Sequence, residues 1–167
     1  MENCIRYLTR LSLLLNRVLV GIAGTALVLM VALACANVAL RSLGYPIKGT
    51  FELMGFFGAI VAAFALGITQ INRGHIAVDV VINLFPGSIR RILAGIGSLV
   101  AMVFFILAAY QTARWGTTLW RVHELSETLR IIYFPFVYAL SLGCSVMALV
   151  LLIDVLRLIH AGEGGDS

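Results

Sequence analysis

VLVGIAGTALVLMVALACANVAL, residues Val18–Leu40, holds no charged side chain in 23 positions. At about 1.5 Å per residue, a helix of that length crosses a hydrocarbon core of roughly 30 Å. Three more charge-free apolar runs follow, Leu53–Ile71, Ile92–Tyr110 and Ile131–Ile153, with 19, 19 and 23 residues. Backbone polar groups in lipid find no water, so a spanning segment must be a helix or a strand of a closed barrel. None of the runs alternates apolar and polar residues as a barrel strand does. The expected fold class is all-α integral membrane, with four transmembrane helices and interfacial amphipathic segments.

Composition points the same way. Of 167 residues, 61% are hydrophobic and 12% charged, where an ordinary soluble domain is about 25% charged. A soluble core of this size could not hide so much apolar surface, and the length suits a single membrane domain over residues 1–167. The first run has a rival reading as a signal peptide. Arg6, Arg10 and Arg17 precede it, and Ala32-Leu33-Ala34-Cys35 is similar to a cleavage or lipid-attachment site. Secretory cores usually run about 7–15 residues, whereas this one continues past Cys35 to Leu40, which favours a retained helix.

The segments between the spans are patterned too. Ile5, Leu8, Leu11 and Leu15 recur at helical spacing while Arg6, Arg10 and Arg17 mark other faces. That predicts an interfacial helix over residues 1–17 feeding into the first span. Val80, Val81, Leu84 and Phe85 form a similar apolar face, started by Asp79 and ended by Pro86-Gly87. Trp115, Leu119 and Val122 recur at i, i+4, i+7, extending the third helix beyond the bilayer with Trp115 and Trp120 as interface anchors. Pro135 fits a first-turn position in the fourth helix. Seven cationic residues (Arg6, Arg10, Arg17, Arg73, Arg90, Arg91, Arg157) lie on one side of this topology. Five (Arg41, Lys48, Arg114, Arg121, Arg130) lie on the other. The excess places both termini in the cytoplasm.

Substrate pathways and proton relays need ionisable groups inside the membrane. Here the nearest are Glu52, opening the second span, and Asp154, closing the fourth. Glu52 follows Gly49-Thr50, which reads as a helix start. Its carboxylate can complement the helix dipole or pair with a neighbouring helix or subunit. Gly55, Ala59, Ala63 and Gly67 form a row of small residues four apart, suited to close packing within this bundle or against another chain.

His75 and Asp79 lie four apart but lack a third ligand, so no metal site is predicted. His123 and His160 fall outside the spans, where they cannot serve as axial haem ligands in a bundle. Cys4, Cys35 and Cys144 make no pair for thiol redox chemistry. The scattered basic residues meet membrane lipids rather than nucleic acid. No enzymatic activity and no cofactor are expected. The halves show no repeat, such as marks many self-contained carriers.

A set of dispersed features then gains meaning together. Asn37 and Arg41 end the first span and Glu52 opens the second. Ala65-Leu66-Gly67 precedes Arg73-Gly74-His75-Ile76-Ala77-Val78-Asp79. Pro86 with Arg90-Arg91 leads into the third span, and Glu127-Thr128-Leu129 precedes the Pro135 helix. This pattern resembles the small membrane subunit (DctQ-like) of tripartite ATP-independent periplasmic (TRAP) transporters across nearly the whole chain. Its sharpest element is the Arg-Gly-His-Ile-x-Val-Asp segment. Tyr133-Phe134-Pro135-Phe136 departs from the pattern in lacking a tryptophan near the proline.

The resemblance implies a bacterial inner-membrane protein that partners a large elevator-type permease holding the substrate and sodium sites. A periplasmic substrate-binding protein would deliver an organic acid, typically a carboxylate, and a sodium gradient would drive its uptake. The small subunit would scaffold the permease. Arg41, Glu52, Arg73, His75 and Asp79, with the small-residue row, are the candidate structural or inter-subunit contacts. The alternative is a self-contained four-helix channel or carrier acting as a homo-oligomer. A membrane anchor for a redox or signalling complex is a third reading.

Overall fold

The computed structural model describes residues 2–72 and 87–163, and these fold into four long helices: α1 Glu2–Ser42, α2 Thr50–Ile71, α3 Gly87–Val122 and α4 Phe134–Glu163. All four contain a segment long and apolar enough to cross a membrane, as the charge-free runs predict. The protein is an all-α, multi-pass membrane protein. Arg73, His75, Asp79 and the expected interfacial segment 80–85 lie outside the described residues.

The helices overrun the runs that announce them. α1 continues unbroken through residues 1–17's expected interfacial segment from Glu2 onward, and its 41 residues extend about 60 Å. α3 reaches Val122, well beyond Tyr110. Of its outer turns, Leu119 is buried while Trp115 and Trp120 are more than half exposed. The fourth helix starts later than its apolar run. Ile131–Tyr133 are not helical, because Ile132 forms a short antiparallel bridge with Leu125 and Ile131 exchanges hydrogen bonds with Ser126. Pro135 then sits in the first turn of α4, where its missing N–H leaves no bond unmade.

Matching residues fix the directions of the helices. Phe56 faces Phe136, Ala63 faces Gly143, and Gln70 meets Asp154, so α2 and α4 run parallel. Asn16 against Gly67 makes α1 antiparallel to α2. Ser141 donates its hydroxyl hydrogen to the Ala109 carbonyl at 2.8 Å, and Gly116 lies beside Val137 and Tyr138, making α3 antiparallel to α4. α4 touches all three other helices, whereas α3 touches α4 alone among the described residues. The result is a three-helix core of α1, α2 and α4 with α3 laid along its side. Leu19, Ala23, Ala63, Phe64 and Val146 form the centre. Accordingly, 56% of the α4 span is buried but only 6% of the α3 span.

A close backbone-to-backbone contact in that core joins α2 to α4. A Cβ on Gly143 would lie 2.6 Å from the Ala63 carbonyl oxygen, a backbone atom that cannot swing aside. Gly143→Ala should therefore destabilise the protein by about 1–3 kcal/mol. Gly58→Ala, with nothing within 4 Å of the added carbon, should be neutral or slightly stabilising. Thermal melting of the two variants in one mild detergent provides the comparison; equal melting would show that the Ala63–Gly143 contact is not the tight one.

Candidate functional site

No span brings an ionisable cluster into the membrane centre among the described residues; polar side chains gather instead at the two ends of the helices. One end carries the α1–α2 and α3–α4 connections, the other the two termini.

At the connection end, α1 stops at Ser42 and the chain turns through Gly44 and Gly49, both with positive φ (86° and 76°). Asn37, one turn before the α1 terminus, accepts the Ile47 N–H at 3.0 Å, and Thr50 donates to the Ile47 carbonyl at 2.8 Å. These two bonds tie the turn to both helices. Gly49 is required twice over. Its left-handed backbone disfavours a side chain, and a Cβ there would run into the Leu129 side chain.

The same leucine meets Glu52. The Glu52 Oε2 accepts the Leu129 N–H at 3.0 Å, 77 residues away in sequence. Glu52 lies in the first turn of α2, so dipole compensation is available to it, but its observed partner is the backbone of the α3–α4 loop rather than a cation. One turn on, Phe56 stacks between Phe136 (4.7 Å between centroids) and Tyr133 (6.0 Å). Partial burial, and then the Glu124 carboxylate that accepts its hydroxyl's hydrogen bond, push the Tyr133 pKa above its ordinary value. Gly49, Glu52 and Phe56 thus fasten the α3–α4 loop onto the start of α2. Arg41, Lys48, Arg121, Glu127 and Arg130, on the elements that meet at this end, are exposed.

The terminal end is fastened differently. Asn16 is fully buried, at 0% exposure, and its Nδ2 donates to the Ser12 carbonyl at 2.9 Å. Its Oδ1 has no hydrogen-bond partner among the described residues and lies where Gly67 would carry a Cβ. Nearby, Gln70 Nε2 donates to Asp154 Oδ2 at 3.0 Å, linking α2 to α4. The row of small residues on α2 therefore divides. Ala63 and Gly67 lie against α4 and α1, while Gly55 is exposed with open space around it. Ala59, between them, is half-buried.

Sequence reasoning overlooked Asn16, because Arg17 ends the charge-free run and draws the boundary two residues too late. An amide within a leucine run is the signal that could have found it. It also missed the pairing of Glu52 with a backbone N–H, which no spacing encodes. Nothing in this arrangement offers a nucleophile beside a base, or three candidate metal ligands, among the described residues.

These observations define a multi-pass helical membrane protein whose bonded polar side chains serve its own joints. The chain belongs to the family of the DctQ component of tripartite ATP-independent periplasmic transporters, whose model matches residues 30–161. It is thus a small TRAP transporter component. None of the curated proteins matches it.

Two measurements probe the joints. Glu52→Ala leaves the Leu129 N–H without its acceptor, costing about 1–3 kcal/mol. Glu52→Gln keeps an acceptor and should cost less. Hydrogen exchange over residues 126–131 should quicken in that order, and unchanged exchange would remove Glu52 from the joint. Gly67→Ala should be strongly destabilising alone but much less so on an Asn16→Ala background, with a coupling of about 1 kcal/mol or more. Additive melting shifts would mean that the amide does not occupy that space.

Proposed function

We propose that this chain is the small, non-catalytic permease subunit that scaffolds a large elevator-type permease. The pair would take up organic acids, delivered by a periplasmic substrate-binding protein, across the bacterial inner membrane in a sodium-driven cycle. Family membership carries this reading, and the placement of polar groups supports it. A carrier needs charges or broken helices near the bilayer midplane. Here Glu52 and the Gln70–Asp154 pair lie near the helix ends and bond within the protein. Substrate and sodium sites then belong to the partner permease.

In this reading both termini face the cytoplasm, and the α1–α2 and α3–α4 connections face the periplasm and the binding protein. Arg41, exposed in the last turn of α1, and Arg73, His75 and Asp79 supply inter-subunit contacts. The open glycines of α2 give the permease a close approach, and Trp115 and Trp120 anchor α3 at the membrane surface.

Co-expression with the neighbouring transporter genes, followed by affinity purification in mild detergent, tests the proposal. A many-spanning permease should co-purify in fixed ratio, and sodium-dependent uptake should require both chains. Arg41→Ala should lower uptake or assembly without changing which substrate is preferred. Purification of the chain only with itself, together with conductance or uptake by it alone in liposomes, would instead establish a self-contained channel or carrier.

A further inference from the structure

A shallow apolar groove of about 430 Å³ runs between α1 and α2. Gly21, Ile22, Thr25 and Leu29 form one wall, and Phe57 and Ile60 the other. Gly21 borders open space there; a Cβ on it would meet nothing within 4 Å. The Thr25 hydroxyl is already committed to the Gly21 carbonyl at 3.0 Å. The groove therefore offers nothing to a polar ligand and suits a narrow apolar chain. A second helix, about 10–12 Å across with its side chains, could lie over the groove but not in it.

Length and charge identify the occupant. From Val18, which also lines it, to Leu29 the groove follows α1 for about 16 Å, close to half of a hydrocarbon core of roughly 30 Å. It begins where the charge-free run begins. Immediately before it stands Arg17, and two turns earlier on the same side of the helix stands Arg10. Both are exposed, and neither has an ion-pair or hydrogen-bond partner among the described residues. A groove one leaflet deep thus opens beside guanidinium groups that have no partner among the described residues, at the edge of the charge-free run.

We propose that this groove binds one anionic glycerophospholipid from the leaflet on the side of the N-terminus. One acyl chain lies between α1 and α2, and the phosphate meets Arg17, with Arg10 in support. The guanidinium fork suits a phosphate geometrically. An acyl chain gains little hydrophobic free energy by moving from bilayer to groove, since both are apolar. Selectivity comes from the headgroup charge, and the groove supplies the fit.

Native mass spectrometry of the full chain in mild detergent, with added phosphatidylglycerol or phosphatidylcholine of identical acyl chains, tests this. The anionic lipid should be retained at least about fivefold better, the preference that one arginine near a headgroup confers. Arg17→Gln should reduce that preference. Gly21→Leu, whose side chain enters open space, should abolish retention of both lipids while leaving thermal melting unchanged. Equal retention of the two lipids by the unaltered chain, or undiminished retention by either variant, overturns the proposal. Efficient crosslinking of Gly21→Cys to a co-purified permease that retains no lipid would assign the groove to protein and overturn it equally.

Discussion

The approach of α2 to α4 at Ala63 and Gly143 governs the arrangement of the other helices. Two backbones meet there without an intervening side chain. In a bilayer, helices are not driven together by expulsion of apolar surface from water, because lipid tails are as apolar as leucine; close van der Waals contact supplies the attraction. Small residues at a crossing therefore matter more than large ones. With α2 and α4 locked, Gly67 is presented to α1 and the inner face of α4 is filled. α3 is left with the one open side of α4, near Ala109, Gly116 and Leu119.

The polar groups follow from the same solvent. A side chain that leaves water must bond to something, and a short-range backbone acceptor is the cheapest partner. Ser12, Thr25, Thr69 and Ser145 all donate to a carbonyl three or four residues back in their own helix. Among the described residues, few polar side chains bond across elements: Asn37, Thr50, Glu52, Gln70 with Asp154, and Ser141. Asn16 crosses as well, by packing its amide over Gly67. These few determine where helices end and which neighbours they keep, because each would be left unsatisfied in any other register.

The spans were legible from sequence because charge-free length is dictated by bilayer thickness and needs no knowledge of tertiary contacts. Helix ends were less so. Ile131–Tyr133 read as the beginning of a helix by apolar character alone, yet the Ser126 hydroxyl and backbone compete for Ile131 and hold it outside. Periodicity likewise grouped Gly55, Ala59, Ala63 and Gly67 on one face. It could not say what lies opposite each: Ala63 and Gly67 meet other helices of this chain, whereas Gly55 faces open space. Asn16 was hidden by its neighbour Arg17, since counting charges marks where lipid contact stops and not where helix packing stops. The Glu52–Leu129 bond joins a side chain to a backbone N–H 77 positions away, and a main-chain donor leaves no residue-type signature.

An exposed apolar face in a membrane protein is not by itself a sign of a missing partner, because lipid covers it at little cost. The outer faces of α1 and α3 therefore do not establish an interface. What favours a scaffold is the contrast between those faces and the joints. Both ends of the three-helix core are tied by long-range hydrogen bonds, while the surfaces toward the bilayer carry open glycines and no charge at mid-depth. A subunit that had to move a solute would need the reverse, a polar interior and weakly held ends that permit two conformations. A tied core with a largely apolar outer wall fits the scaffold proposed above, in which the chemistry of transport belongs to the partner permease.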